Sequence, residues 1–402
     1  MIYLETPKKF RPLVTQANHV AREIFRPISR KYDEAEHEYP KELDVLASLI
    51  DGMNEGSGMG AGAAGVSGEE EAGGEGNRNG SNLSTVLGII ELCWGDVGLL
   101  LSMPGQGLGN SAIASVATDE QMKLYGGKWA AMAITEPEAG SDSAAIRTTA
   151  ELDGDEYVLN GEKIFVTSGD RADLIVVWAS LDRSVGRAAI KSFIVERDNP
   201  GLKLDRLEHK LGIRASDTAN FTLQDCRVPK DALLGSPDVD VKKGFAGVMK
   251  TFDNTRPLVA GMALGVTRAA LEETRRQLQA AGVEIDYDSP ALSQPAAAAR
   301  YLEMEADYEA ALMLTMQAAW MADNKKPNSL EASMAKAKAG RVGVDVTLGC
   351  VELCGATGLG ETELLEKWSR DAKILDIFEG TQQIQLLIVA RQLLGKTSAE
   401  LK

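Results

Sequence analysis

The order of helical and strand-rich segments is the sequence feature that most restricts the fold. Residues 12 to about 128 show the three-to-four spacing of apolar residues that is typical of buried helical faces. Residues 129–243 instead contain short runs rich in β-branched and aromatic residues. Two turn signals there, Asp-Gly and Asn-Gly, flank the segment DEYVL and indicate hairpins. Long, often alanine-rich helices return from Phe245 onward, so the order is not that of an alternating doubly wound fold.

We therefore predict an α+β fold of three domains. The N-terminal helical domain spans residues 1–128, the central β domain spans 129–243, and the C-terminal helical bundle spans 244–402. The first domain contains a glycine-rich, acidic segment at 53–82, which its composition predicts to be a mobile loop. Its glycines also match G-x-G-x-x-G. A dinucleotide site is not expected, because the preceding residues are predicted to be helical and no packed helix can follow.

Composition and charge argue against several classes of function. The formal net charge of -16 argues against nucleic acid as a main partner, because phosphate binding requires a basic surface. Three scattered histidines form no hydrolase or metal-binding motif, so no metal site is predicted. The best candidate for a membrane span, Leu83–Leu101, contains two carboxylates, and the first residues lack a signal-peptide core. Four cysteines without a paired pattern favour a reducing cytoplasm.

One carboxylate near the C-terminus lies where its pKa can be altered. In KILDIFEGTQQIQ, residues 373–385, apolar residues recur at helical spacing on both sides of Glu379, Gly380 and Thr381. The glycine is expected to break the first helix and the threonine to cap the second. A carboxylate between two apolar faces would be desolvated, which raises its pKa. From these residues alone, Glu379 is a capping residue, a solvated loop residue or a base.

Five segments, in one order, resemble signatures of the acyl-CoA dehydrogenase family. They are AITEPEAGSD, DGDEYVLNGEKIFVTSG, HKLGIRASDTANFTLQDCRVP, FDNTRP and RDAKILDIFEGTQQIQLLIVAR. The resemblance runs from about residue 18 to the C-terminus, and five ordered motifs are more specific than any single one. It implies a helical domain, a β-barrel-like domain and a four-helix bundle, with FAD as cofactor and an acyl-CoA thioester as substrate.

The resemblance also implies roles for individual residues. Glu379 matches the catalytic base, while Thr255 occupies the position from which some branches of the family supply that base. Residues that match contacts of FAD are Met132, Ala133, Ile134, Thr135, Gly140, Ser141, Phe165, Val166, Thr167, Thr381, Gln382 and Gln383. Residues that match contacts of coenzyme A are Ser141, Asp253, Arg256, Gly380 and Arg391. Arg256 could equally serve the start of a helix, and Arg391 could equally be a surface cation on a helix.

The resemblance implies an oxidoreductase of fatty acid β-oxidation that desaturates an acyl-CoA at its α,β bond. Glu379 would remove the α-proton, and its backbone N–H and a flavin hydroxyl would hold the thioester oxygen. The β-hydrogen would pass as hydride to flavin N5, and the electrons would go on to an electron-transfer flavoprotein. Alternatives on the same fold are an acyl-CoA oxidase, a nitroalkane-type oxidase, and a non-catalytic or DNA-associated flavoprotein. A glutamate base and the acidic charge argue against the last three.

One expected motif of the family is missing. Typical members carry R-x-x-F-G after the helix that begins near Leu258, and its arginine reaches the FAD diphosphate of a neighbouring subunit. Here the segment AAGVEIDYDSPALSQ lacks that arginine and adds Glu284, Asp286 and Asp288, whose charge would repel a diphosphate. We expect a related chain to supply the arginine in an α2β2 heterotetramer. The alternative is a homotetramer that holds FAD weakly or by other residues.

Overall fold

The structure, a computed structural model, describes residues 6–48, 80–105, 108–239, 246–397 and 400, and for 246–254 it describes the backbone alone. The predicted loop at 53–82 lies outside the described residues except for its last three, where a helix begins at Ser81. Asp253, a predicted coenzyme A contact, lies in a helix, but its side chain is outside the described part. The elements follow the predicted order of helices, strands and helices.

The helices that precede the sheet fall into two groups: those before residue 102 share one apolar core with the C-terminal helices, whereas those between residues 108 and 125 pack with the core of the sheet. The helices of the two groups are α1 (Arg11–Val20), α2 (Arg26–Glu34), α3 (Ser81–Gly95), α4 (Val97–Leu101), α5 (Leu108–Val116) and α6 (Asp119–Tyr125), and residues 42–48 are also helical. A π-helical turn at Ala21–Phe25 joins α1 to α2. α1 has proline in its first turn, where the N–H that proline lacks would have no partner within the helix. Thr118 and Gln121 form a capping box at the start of α6.

A seven-stranded sheet follows these helices. Its strands are β1 (Ala130–Ala133), β2 (Thr149–Asp153), β3 (Glu156–Thr167), β4 (Leu174–Ser180), β5 (Ile190–Glu196), β6 (Leu202–Leu207) and β7 (Thr218–Pro229). The order in the sheet is β1-β4-β2-β3-β7-β6, and β5 pairs with β4. β4 runs parallel to β1 and to β2, and the other pairs are antiparallel. The sheet surrounds an apolar core of its own that includes Val177, Phe193 and Phe221.

Only one of the two predicted turns in this sheet is a turn. Asp153 pairs with Glu156 across β2 and β3, so the first hairpin is confirmed. Asn160 and Gly161 instead lie within β3, where the register shifts against β7. A Cβ at Gly161 (φ 156°) would lie 2.8 Å from the Cα of Thr148, so only glycine allows this close approach. The second prediction is wrong because a bulge can carry the same Asn-Gly pair as a turn.

The C-terminal helices form the predicted bundle. They are α7 (Ala246–Ala280), α8 (Ala296–Asp323), α9 (Ser329–Leu359), α10 (Leu365–Leu375) and α11 (Gln382–Leu394). α9 packs against the other four, and α3 packs on α7. Gly340 lets α9 approach the end of α10 closely, because a Cβ there would lie 2.8 Å from the carbonyl oxygen of Leu375. The predicted domain boundaries stay predictions, and the one at residues 243 and 244 falls outside the described residues.

By length and composition, α9 could cross a membrane. Its position in the fold is that of a core helix, since it packs against α7, α8, α10 and α11. It also carries charged residues such as Lys336, Arg341 and Asp345 along its length. We therefore assign α9 to the core of the bundle.

A buried group of three charges connects the bundle to the other parts of the chain. Lys367 on α10 donates to Asp96 at 2.7 Å and to Asp371 at 2.6 Å, and all three side chains are at most 1% exposed. Asp96 precedes α4, and Asp371 accepts the backbone N–H of Ile213 at 2.5 Å. α10 is thereby fixed both to the N-terminal helices and to the segment before β7. The chain then leads directly from α10 to Glu379.

Candidate active site

Glu379 lies in the turn between α10 and α11. After α10 ends at Leu375, Glu379 (φ 58°) and Gly380 (φ 94°) adopt two left-handed conformations in succession. The side chain of Thr381 accepts the backbone N–H of Ile384 at 3.3 Å and so caps α11. The expected helix break and threonine cap are both present. A left-handed glutamate costs conformational energy, and residues held in this way cluster at functional sites.

Glu379 is partly exposed as a residue, but its carboxyl is desolvated by the surrounding protein. Its Oε2 accepts a hydrogen bond of 2.9 Å from Thr255 Oγ1 on α7. Desolvation raises the pKa of Glu379, while the Thr255 hydrogen bond and the charges of Arg256 and Lys336 oppose that rise. Glu379 is therefore a desolvated carboxyl with a raised pKa and not a solvated loop residue.

Two buried cations lie near this carboxyl, and the sequence motifs identified only one of them. Arg256 is 3% exposed, and its Nη1 donates to Ser333 on α9 at 3.4 Å. Lys336, also on α9, is 1% exposed, and its Nζ donates to the carbonyl oxygen of Gly380 at 2.7 Å. The sequence offered no signal for Lys336, because the alanine-rich helix around it has no clear apolar stripe and also carries Lys338. A lysine on a buried helical face is rare and indicates a specific role.

The predicted flavin-lining segments of β1 and β3 also lie side by side. The backbone N–H of Ile164 donates to the carbonyl oxygen of Thr135 at 2.9 Å. Phe165 follows with φ 58° and is 59% exposed, and its N–H donates to Asn220 Oδ1 at 3.2 Å. An aromatic ring held outward, near the partly buried side chains of Thr135 and Thr167, suits a flat heteroaromatic ligand with polar edges.

A buried ion pair supports these segments from within. Lys163 is 0% exposed, and its Nζ donates to Glu136 at 2.7 Å and to the carbonyl oxygen of Ile134 at 3.2 Å. Glu136 also accepts the backbone N–H of Thr148 at 3.0 Å and its hydroxyl at 2.6 Å. The motifs assigned no role to Lys163 or Glu136. The pair holds the backbone just after β1, which carries part of the predicted flavin wall.

Comparisons with known proteins identify the family. Residues 131–226 match the family model described as acyl-CoA dehydrogenase, middle domain, and residues 242–394 match acyl-CoA dehydrogenase, C-terminal domain. The mitochondrial short-chain specific acyl-CoA dehydrogenase of Homo sapiens is 33% identical over 399 residues, which covers 97% of this chain and 91% of that protein. This chain belongs to the acyl-CoA dehydrogenase family.

Solved structures show the same fold. Butyryl-CoA dehydrogenase from Megasphaera elsdenii is 30% identical, with a TM-score of 0.80 over 98% of this chain and 100% of that chain. A chain in a structure described as the electron transferring flavoprotein of Acidaminococcus fermentans is 32% identical, with the same TM-score and coverage. The predicted acyl-CoA dehydrogenase fold is confirmed. The chain is therefore an oxidoreductase of a family that uses FAD in fatty acid oxidation.

In this acyl-CoA dehydrogenase, some residues that are predicted to contact a ligand have buried side chains, so only their backbone could contact it. Ala133 and Val166 are at most 1% exposed, so their backbone is the part that can face a flavin. Met132, by contrast, is partly exposed. Gly140 and Ser141 form an exposed segment between β1 and β2. Their assignment to FAD and coenzyme A stays a prediction.

Three predicted ligand contacts lie on α11. Gln382 accepts a hydrogen bond from Arg341 Nε at 3.1 Å, which ties the start of α11 to α9. Gln383 is exposed. Arg391 is partly exposed, and its Nε donates to the carbonyl oxygen of Leu387 on the same helix at 3.3 Å. Gln383 and Arg391 can reach a ligand at the surface, whereas Gln382 also has a structural role.

Proposed function

We propose that this chain is an FAD-dependent acyl-CoA dehydrogenase in which Glu379 removes the α-proton of the acyl thioester. One observation carries the proposal: a desolvated Glu379 carboxyl on a left-handed turn, hydrogen-bonded to Thr255 at 2.9 Å. A solvated glutamate would not have the raised pKa that desolvation gives Glu379. The partly exposed surface of Glu379 leaves a side from which a ligand can approach.

The chemistry of the thioester requires such a group. Removing a proton from the carbon next to a thioester needs a base of raised pKa and a polarised carbonyl. A ligand that covers the exposed part of Glu379 would desolvate its carboxylate further and strengthen it as a base. We assign the Glu379 backbone N–H as a donor to the thioester oxygen, where negative charge develops. Because base and donor belong to one residue, the turn fixes their relative positions.

The residues of the two flavin-lining segments fit an FAD ring. Phe165 would face the ring, and Thr135 and Thr167 would donate hydrogen bonds to its polar edge. We assign Gln383 to the ribityl and diphosphate portion. When bound, FAD supplies the acceptor for the hydride that leaves the β carbon. The protein holds the acyl chain in the orientation that lets Glu379 reach the α-proton.

Anaerobic bleaching of the flavin tests both base and substrate. The flavin-loaded protein is mixed with acyl-CoAs of increasing chain length, and we expect short chains to bleach it fastest, because similar proteins are named short-chain specific. Glu379→Gln keeps the size of the side chain and an acceptor for Thr255 but removes the base. It should retain flavin and abolish bleaching.

Glu309→Gln is the matched control for this experiment. Glu309 is an exposed glutamate on α8 whose pKa is also raised by desolvation, so its substitution should leave bleaching unchanged. Bleaching of the Glu379→Gln protein at the wild-type rate would show that another group is the base. A wild-type protein whose flavin is bleached by no acyl-CoA would contradict the proposed activity.

We also propose that the electrons pass to an electron-transfer flavoprotein. The description of one similar structure supports this partner. The acyl-CoA-reduced protein should be reoxidised much faster by electron-transfer flavoprotein than by dissolved oxygen. The opposite order of rates would assign the chain to the acyl-CoA oxidases instead.

We further propose that a second, related chain completes the FAD site in an α2β2 heterotetramer. The segment between α7 and α8 lacks the arginine that family members contribute across subunits, and it exposes Glu284, Asp286 and Asp288. Their charges would repel a diphosphate. The chain expressed alone should then contain little flavin, and a stable FAD-loaded homotetramer would refute the second chain. The free thiols of Cys93, Cys226, Cys350 and Cys354 support a cytoplasmic location, which is also a proposal.

A further inference from the structure

A buried lysine contacts the turn that carries Glu379. Lys336 is 1% exposed, and its Nζ donates to the carbonyl oxygen of Gly380 at 2.7 Å. Gln385 Nε2 donates to the same oxygen at 3.3 Å and to the carbonyl oxygen of Glu379 at 3.1 Å. Two side chains from two helices therefore hold the carbonyls of two consecutive left-handed residues.

We propose that Lys336 is a positioning residue for the base: it holds the Glu379-Gly380 backbone, and its positive charge acts on the Glu379 carboxylate. This inference rests on the proposed role of Glu379. A buried ammonium is costly unless its charge is compensated, and a backbone carbonyl compensates it less well than a carboxylate at contact distance. Such a cost is expected where a residue serves function and not stability alone.

The charges that face Lys336 come from two other elements. Asp376 and Glu379 lie on the turn between α10 and α11, and Arg256 lies on α7. Desolvation lowers the pKa of Lys336 to about 8, against the effect of the two carboxylates and together with that of Arg256. Lys336 is thus mostly protonated at neutral pH.

The cation acts on Glu379 in one direction. The charge of Lys336 lowers the pKa of Glu379, against the larger effect of desolvation. If Lys336 loses its charge, the pKa of Glu379 rises and a smaller fraction of the base is ionised at a given acidic pH. The acid limb of the pH profile of kcat/KM then moves to higher pH. A lysine that only packed in the core would not move that limb.

Lys336→Met in the flavin-loaded enzyme tests the inference. Methionine is an unbranched side chain of similar length that provides neither charge nor donor. We expect kcat for flavin reduction to fall about tenfold or more, KM to change less than about twofold, and the acid limb to move to higher pH. Lys338→Met is the matched control, because Lys338 lies two residues further along α9 and pairs with Asp307 on α8 at 2.5 Å. It should leave all three quantities unchanged.

Lys336→Gln is a second test of the inference, and it can be used even if the methionine variant does not bind flavin. It keeps an N–H donor without the charge, so the acid limb should move in the same direction with a smaller loss of kcat. The inference would be overturned if the acid limb stays in place in the Lys336 variants that bind flavin. It would also be overturned if these variants lose no more activity than Lys338→Met. Activity in Glu379→Gln would instead refute the proposed function, whatever the Lys336 variants do.

Discussion

Replacing Lys367 with methionine should destabilise this acyl-CoA dehydrogenase by about 3–5 kcal/mol. The Lys367 ammonium lies 2.7 Å from Asp96 Oδ2 and 2.6 Å from Asp371 Oδ2, and the three side chains are at most 1% exposed. Methionine occupies a similar length of the core but provides no charge. The variant therefore buries two carboxylates that face each other without their cation.

The magnitude follows from two opposing contributions. At an effective dielectric constant of about 20, unit charges at these distances attract by about 6 kcal/mol for each contact. Desolvation costs several kcal/mol for each buried ion, which cancels much of that attraction. In the variant, one carboxyl can also take up a proton, which limits the loss. The net cost is thus expected nearer to about 3–5 kcal/mol than to the sum of the two attractions.

The pH dependence has a definite sign. Desolvation raises the pKa of Asp371, and the charge of Lys367 opposes that rise. Without Lys367 the pKa rises further above its value in the unfolded chain. A carboxyl whose pKa is higher in the folded chain than in the unfolded chain destabilises the fold once the pH rises above the unfolded pKa. Protonation of the carboxyl at low pH removes this destabilisation. The stability difference between the variant and the wild type should therefore shrink as the pH is lowered.

Urea unfolding at neutral pH, followed by circular dichroism at fixed protein and flavin concentrations, measures the change. Lys373→Met is the control, because Lys373 lies on the same helix, is 44% exposed, and sits 3.5 Å from Asp376. A pair of this kind contributes about 0–1 kcal/mol. If Lys367→Met lowers the free energy of unfolding no more than the control does, Lys367, Asp96 and Asp371 do not stabilise the fold.

Two further changes test the turn and a partly buried carboxylate. Gly380→Ala would place a Cβ 2.4 Å from Gln385 Nε2 at a φ of 94°. Flavin reduction should therefore slow about tenfold while the circular dichroism spectrum stays unchanged. A wild-type rate of flavin reduction would contradict this prediction. Although desolvation opposes ionisation, hydrogen bonds from His209 and neighbouring groups lower the pKa of Glu36 to about 2 from 4.5. Glu36→Gln should therefore reduce Tm at pH 7 and not at a pH of about 2, whereas an equal loss at both would refute the assignment.

Local sequence signals predicted the elements well and their exact geometry less well. Periodicity predicted the helical and strand-rich regions, because burial of one face requires that spacing in any fold. The Asp153-Gly154 pair predicted a hairpin correctly. The Asn160-Gly161 pair did not, since the approach of Thr148 to Gly161 turns it into a bulge within β3. That approach depends on a neighbouring segment, which local sequence does not reveal.

The site shows the same division. The glycine and threonine after Glu379 predicted the turn, and the motif predicted the base, which stays a proposal. The contact between Thr255 and Glu379 joins residues 124 positions apart and could not be read from either segment. Lys336 escaped notice because an alanine-rich helix with two nearby lysines does not show which one faces inward. The structure shows that Lys336 is buried and that Lys338 pairs with Asp307 near the surface.

By itself, the sequence determined the order of elements and the break after α10, because these depend on backbone preference and on burial within one segment. It implied Glu379 as the base only through its resemblance to the family motifs. Tertiary structure alone decided the environment of that carboxylate. The pKa of Glu379 is set by desolvation, by a hydroxyl from α7 and by cations from α7 and α9, which only folding brings together. Electrostatic interaction depends on distance in space and on dielectric environment, and neither is encoded in any single stretch of the chain.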